Sequence, residues 1–124
     1  MSKKILVVDD EENILNIVKF NLEKAGYQIT VAHDGMDALE KVALDTPDLI
    51  VCDVMMPKLD GMGVLKKLKA NPKTENIPVI LLTAKGSPKD VLEGWQGGVH
   101  NYLVKPFKAQ ELLSTVKAIF EFEG

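Results

Sequence analysis

The feature that most constrains this chain is its regular alternation of short apolar runs with segments of helical period. The runs Ile5-Leu6-Val7-Val8, Leu49-Ile50-Val51-Cys52, Val79-Ile80-Leu81-Leu82 and Tyr102-Leu103-Val104 are strand-length and apolar on both faces. Such strands belong in a parallel sheet covered on both sides. The expected strands are residues 4–9, 28–32, 48–53, 78–82 and 102–104. Between them, helical spacing marks five segments. Residues 12–25 put Ile14, Ile17, Val18, Leu22 and Ala25 on one stripe, with Asp10 as cap and Gly26 as stop. Residues 35–44 do the same with Ala38, Leu39, Val42 and Ala43, and residues 62–70 with Val64, Leu65 and Leu68. Residues 88–96 offer Val91, Leu92 and Trp95, and residues 108–121 offer Leu112, Val116 and Ile119. Five strands alternating with five helices predict a doubly wound α/β fold with right-handed crossovers.

The chain's 124 residues predict one domain, 1–124, with its own core. No apolar stretch approaches the ~20 residues of a membrane span. Met1-Ser2-Lys3-Lys4-Ile5 has no signal-peptide layout, and the single cysteine excludes an internal disulfide, so the expected location is cytoplasmic. All 15 basic residues are lysine, and the net charge is −3. Without the guanidinium fork that reads base edges and clamps phosphates, direct nucleic-acid binding by this domain is not expected.

Each apolar run is followed by a residue useful in phosphoryl chemistry: Asp9-Asp10, Asp53, Thr83 and Lys105-Pro106. In parallel α/β sheets the ligand site lies outside the carboxyl ends of the strands, so these groups would meet at one edge. Clustered carboxylates repel, which favours a raised pKa or a bound cation. Magnesium, a hard ion taking oxygen ligands, is the natural one. Asp10 and Asp53 suit direct ligation, and Asp9 suits a metal-bound water. Asp53, alone on the expected central strand, is the best nucleophile for a phosphoryl group, with Thr83 and Lys105 placed to meet the phosphoryl oxygens.

Four stretches, in this order and spacing, carry a family resemblance: Ile-Leu-Val-Val-Asp-Asp-Glu at 5–11, Asp-Val-Met-Met-Pro-Lys-Leu-Asp-Gly at 53–61, Leu-Thr-Ala-Lys at 82–85, and Tyr-Leu-Val-Lys-Pro-Phe at 102–107. Together they resemble the receiver domain of two-component response regulators over essentially the whole chain. The resemblance implies a flavodoxin-like sheet of strand order 2-1-3-4-5. It implies a phosphorylation-activated signalling switch rather than an enzyme, with Asp53 taking phosphate from a sensor histidine kinase. It also implies Mg2+ held by Asp10, Asp53 and the Met55 backbone carbonyl, with Asp9 acting through water. Thr83 and Tyr102 would form a switch pair, and the 88–121 face would meet a downstream protein or fused output domain. Trp95, in that face, would report activation by its fluorescence, and Met55 and Lys85 would tune dephosphorylation.

Each residue also has a plainer use. Asp9-Asp10 can cap a helix, Asp60-Gly61 is a turn, and Lys-Pro after a strand is commonly a loop. Their joint occurrence at successive strand ends favours the chemical reading. Cys52 should point away from Asp53 and pack as a small apolar group. His33 and His100 lack metal-ligand partners at suitable spacing. The segment Gly94-Trp95-Gln96-Gly97-Gly98-Val99-His100-Asn101-Tyr102 departs from the Gly-Ala-Asp-Asp-Tyr-like stretch common in receivers, on the output face and not among the chemical residues. Three other functions compete: an aspartyl-phosphate hydrolase, disfavoured because Met55 stands where its second acid belongs; a receiver-like binding module that works without phosphorylation; and a flavodoxin, disfavoured because no Ser/Thr/Gly-rich loop follows the first strand.

Overall fold

A computed structural model describes residues 2–56, 58–84 and 101–123. In chain order these form β1 (Lys4–Val8), α1 (Glu12–Lys24), β2 (Gln28–Ala32), α2 (Gly35–Leu44), β3 (Leu49–Asp53), α3 (Gly61–Lys69), β4 (Val79–Ala84), β5 (Asn101–Lys105) and α4 (Ala109–Glu123). The strands make one fully parallel sheet in the order β2-β1-β3-β4-β5, with Val7 opposite Val51, Val51 opposite Ile80, and Leu82 opposite Leu103. Four of the five expected helices stand among the described residues. The segment expected to form the other, 88–96, lies outside them, as do Lys85, Trp95 and His100.

The two-residue period of the strands sorts the core into two layers. Leu6, Val8, Ile50, Cys52, Val79 and Leu81 pack with Ala38 and Val42 of α2 and Val64, Leu65 and Leu68 of α3. Ile5, Val7, Leu49, Val51, Ile80, Leu82 and Leu103 pack with Leu15, Val18 and Leu22 of α1 and Leu112, Val116 and Ile119 of α4. Cys52 is a buried member of the first layer, facing away from Asp53 as its position in the strand predicts.

Three local expectations need correction. The buried stripe of α1 runs through Leu15, Val18 and Leu22, while Ile17 is 55% exposed and Ala25 is exposed. Val18 and Leu22 fix the stripe's direction, and Leu15, three residues before Val18, lies on it where Ile17 does not. Ala43 of α2 is likewise exposed. Finally, Asp10 does not cap α1: Glu11 is its N-cap residue and makes no side-chain capping bond. The neighbouring Asp9 instead accepts the Glu11 amide through Oδ1 at 3.0 Å. Gly26 does end the helix, at φ 101°, with its amide donating to the Glu23 carbonyl at 3.0 Å.

β4 extends two residues beyond the expected end and takes in Thr83, and β5 takes in Lys105. Both groups therefore sit on ladder positions, Thr83 opposite Val104 and Ala84 opposite Lys105, with their backbones held by the sheet.

Candidate functional site

Strand parity decides which side chains meet. Asp53 follows Leu49 and Val51 on one face of β3, and Lys105 follows Leu103 on the same face of β5. Asp9, just beyond β1 with its amide bonded to the Ala32 carbonyl at 3.2 Å, continues the Ile5–Val7 side. These three converge: Lys105 Nζ lies 2.9 Å from Asp9 Oδ2 and 3.3 Å from Asp53 Oδ1. Asp10 joins them from solvent, and Asp9, Asp10 and Asp53 each offer a carboxylate oxygen within 4.8 Å of the others.

Thr83 and Tyr102 have the opposite parity. Thr83 follows Val79 and Leu81, and Tyr102, paired with Leu81, packs half-buried against the α2–α3 layer. Asp9, Asp53 and Lys105 thus lie on one face of the sheet, while Thr83, expected both to meet a phosphoryl oxygen and to switch, lies with Tyr102 on the other, and the two faces meet at the carboxyl edge. Met55 is exposed in the bend that follows β3. His33 is exposed and pairs with Glu12 at 3.0 Å, which gives it a structural partner rather than a metal.

The site is electrostatically loaded. Asp9 has no exposed surface and Asp53 only 5%. At an effective dielectric of ~20, two carboxylates this close repel by about 3.5 kcal/mol. One lysine cannot balance three acids. Burial, followed by the charge of Asp9, pushes the Asp53 carboxyl up to about 6, against the opposing pull of Lys105. For Lys105 burial works against the charge, but the hydrogen bond to Asp9 and the charges of Asp53 and Asp9 outweigh it, so its ammonium is held above the usual lysine range. The Cys52 thiol is pushed up by burial and then by Asp53, so it is kept protonated and inert.

The donor set fits a small hard cation. Neighbouring oxygens on an octahedral magnesium stand about 2.9 Å apart and opposite ones about 4.1 Å. Carboxylates already within 4.8 Å need little movement to reach that spacing. An ion here would relieve the repulsion that the isolated protein carries. Every side chain assigned to the strand-end constellation among the described residues is therefore at the carboxyl edge.

Lys58 and Leu59, just before α3, are groups that no sequence pattern pointed to. The Lys58 ammonium reaches Asp34 at 3.5 Å, and Leu59 packs against the first residue of α2, Gly35. Residues 34 and 59 are far apart in the chain, and no local pattern joins them. Asp34 carries the only local signal: its side chain caps α2 by accepting the Asp37 amide at 2.8 Å, which holds its carboxyl below the usual range.

Comparison with known proteins agrees with this geometry. A family model, the response regulator receiver domain, matches residues 5–117. The alkaline phosphatase synthesis transcriptional regulatory protein PhoP of Bacillus subtilis (strain 168) is 47% identical over 119 residues, covering 96% of this chain and 49% of PhoP. The chain thus spans about half the length of that relative. Among solved structures, the receiver domain of a Francisella response regulator is 38% identical with a TM-score of 0.90, covering 99% of this chain and 100% of that one. The chemotaxis protein CheY4 of Vibrio cholerae is 35% identical, also with a TM-score of 0.90, covering 95% of this chain and 98% of that one. With its sheet order, its acidic edge and its bridging lysine, this chain belongs to the response regulator receiver domain family.

Proposed function

We propose that this domain is a phosphorylation-activated switch in which Asp53 is the phosphoacceptor. The observation that carries the proposal is Lys105, whose ammonium already touches the Asp53 carboxylate while anchored to the buried Asp9. The donor is a phosphohistidine of a sensor histidine kinase. An Asp53 oxygen attacks phosphorus, the P–N bond breaks as the O–P bond forms, and the departing imidazole nitrogen takes up a proton. Asp10, Asp53 and the Met55 backbone carbonyl are the groups to hold Mg2+, with Asp9 acting through a water. Magnesium, when bound, offsets the negative charge gathering between donor and acceptor. Lys105 supplies a cation beside the new O–P bond, and Thr83 supplies a hydroxyl to another phosphoryl oxygen. Both oxygens of Asp9 are engaged, one by the Glu11 amide and one by Lys105, which supports an indirect part for it.

The added phosphoryl group brings negative charge and strong acceptor oxygens. Thr83 turns towards it, and Tyr102, on the same face of the sheet, moves into the space released. The output surface around β5 and α4 then changes for a downstream protein or a fused output domain. Driving a switch from 1:99 to 99:1 needs about 5.5 kcal/mol of differential interaction. A few charge-assisted hydrogen bonds are of that order. Transfer to Asp53 and loss of the phosphoryl group to water are the only reactions assigned to the domain. Among the described residues no helix is long and apolar enough to cross a membrane, and a cytoplasmic place near the kinase fits the reading.

Intact-mass spectrometry after incubation with acetyl phosphate and Mg2+ tests it. The expected result is one labile phosphate adduct, absent in Asp53→Ala. An adduct that survives in Asp53→Ala would overturn the assignment. No adduct from acetyl phosphate, phosphoramidate or a cognate kinase would favour a binding module that works without phosphorylation.

A further inference from the structure

The loop that follows Asp53 is closed at its base and wedged at its far end. At the base, the Val54 amide donates to the Leu82 carbonyl and the Gly61 amide donates to the Val54 carbonyl, both at 2.9 Å. At the far end, Leu59 sits between two helix starts. A Cβ built on Gly35 of α2 would run into the Leu59 carbonyl oxygen and stand 2.8 Å from the Leu59 Cβ. A Cβ on Gly63 of α3 would run into Leu59 Cδ1 and stand 3.1 Å from Cγ. The two helix caps tighten the arrangement. Asp34 takes the Asp37 amide on one oxygen and faces the Lys58 ammonium with the other, and Asp60 accepts the Gly63 amide at 2.8 Å. Lys58 itself is held at φ 68°, a left-handed conformation that a lysine adopts only when its surroundings impose it.

We propose that Leu59, wedged between Gly35 and Gly63, is the positioning residue that fixes residues 58–60, so that the Met55 carbonyl is presented correctly to Mg2+. The inference rests on the reading of that carbonyl as a ligand. The reason lies in the ion's chemistry. A backbone carbonyl can be aimed only by fixing its peptide plane, and Met55 is too exposed for its side chain to be that anchor. The anchor points on either side are Val54, hydrogen-bonded to Leu82 and Gly61, and Leu59, wedged between the two helix starts. Magnesium demands near-ideal octahedral geometry, whereas Ca2+ accepts longer and irregular coordination. A displaced loop therefore penalises Mg2+ more than Ca2+. A general loss of stability would not change that preference.

The test is calorimetric titration of the metal-free whole chain with Mg2+ and, separately, Ca2+. Gly35→Ala is expected to weaken Mg2+ binding by about tenfold or more, as loss of an outer-shell support commonly does, and to lower the Mg2+/Ca2+ affinity ratio. Leu59→Ala should act in the same direction, and Leu59→Met should restore most of the Mg2+ affinity. Gly26→Ala is the control: its φ of 101° makes alanine strained, yet a Cβ there meets nothing, so it lowers stability far from the loop and leaves both affinities unchanged. A folded Gly35→Ala protein with Mg2+ affinity and metal preference within twofold of the parent overturns the proposal. If Gly35→Ala fails to fold, the same result with Leu59→Ala overturns it. A parent chain that binds no Mg2+ overturns the ligand assignment and the wedge together. Normal parental binding with unaffected variants overturns the wedge alone.

Discussion

Replacing Asp53 by asparagine should make the metal-free domain more stable at neutral pH while removing its phosphoacceptor. The side chain is nearly as large and keeps an oxygen for Lys105, but loses the charge. In the folded protein burial, and then the charge of Asp9, push the Asp53 carboxyl from 3.8 to about 6. The folded pKa is above the unfolded one, so the proton is held more tightly in the fold. The associated stability is fully present below about pH 4 and is lost as pH rises through about 6. A shift of about two units corresponds to about 3 kcal/mol once the carboxylate is ionised in both states. Asp53→Asn should recover up to that amount at pH 7.5 and well under 1 kcal/mol at pH 4. Urea denaturation at both pH values, with a chelator present, measures the difference. A gain of about 3 kcal/mol would raise Tm by roughly 10 °C in a domain of this size. Equal stability at pH 7.5, or a gain independent of pH, would refute the view that ionised Asp53 is held at a cost. Added Mg2+ should close most of the gap at a hundredfold excess over its Kd, where the parent gains about 2.7 kcal/mol, and reverse the ranking at a thousandfold excess, where it gains about 4.1 kcal/mol.

Four further outcomes follow from the rest of the molecule. Lys105→Met should raise the Asp53 pKa beyond about 6, because the lysine is what pulls it down; a carboxyl-carbon NMR titration that finds it unchanged or lower contradicts the ion pair. The same variant leaves the buried Asp9 without its cation and should cost about 3 kcal/mol or more in urea denaturation near neutral pH. Asp60→Ala removes the α3 cap bond to the Gly63 amide and should cost about 1 kcal/mol, read from the shift in denaturation midpoint. Cys52, buried and with its thiol pushed up by burial, should resist a thiol reagent in the native protein and react only on unfolding; fast labelling under native conditions would show that the sheet opens there.

The sheet was legible because its physics is local. A run such as Leu49-Ile50-Val51-Cys52, apolar on both faces, has few places to go except the middle of a doubly covered parallel sheet. The inward faces of α3 and α4 were equally plain, with Leu68 and Val116 buried as the spacing predicts. The stripe of α1 was misjudged because Leu15 and Ile17 are equally apolar, and only the direction in which the helix lies on the sheet chooses between them. Asp10 was misjudged as a cap for a related reason: Asp9 and Asp10 are interchangeable in sequence, and the turn after β1 gives the Glu11 amide to the former.

The acidic edge divides in the same way. The chain's own order of residues determined that carboxylates, a hydroxyl and a lysine terminate successive strands, because a strand's end is marked where its apolar run stops. Their parity within each strand was legible too. What only the tertiary structure decided is how they are paired: that Lys105 bridges Asp9 and Asp53 across β1, β3 and β5, and that burial beside Asp9 lifts the Asp53 carboxyl to about 6. The placing of Leu59 against Gly35 and Gly63 belongs to the same class. Contacts between distant segments, and the dielectric they create, depend on how strands and helices stack, and a pattern along one chain carries no record of that until the layers close.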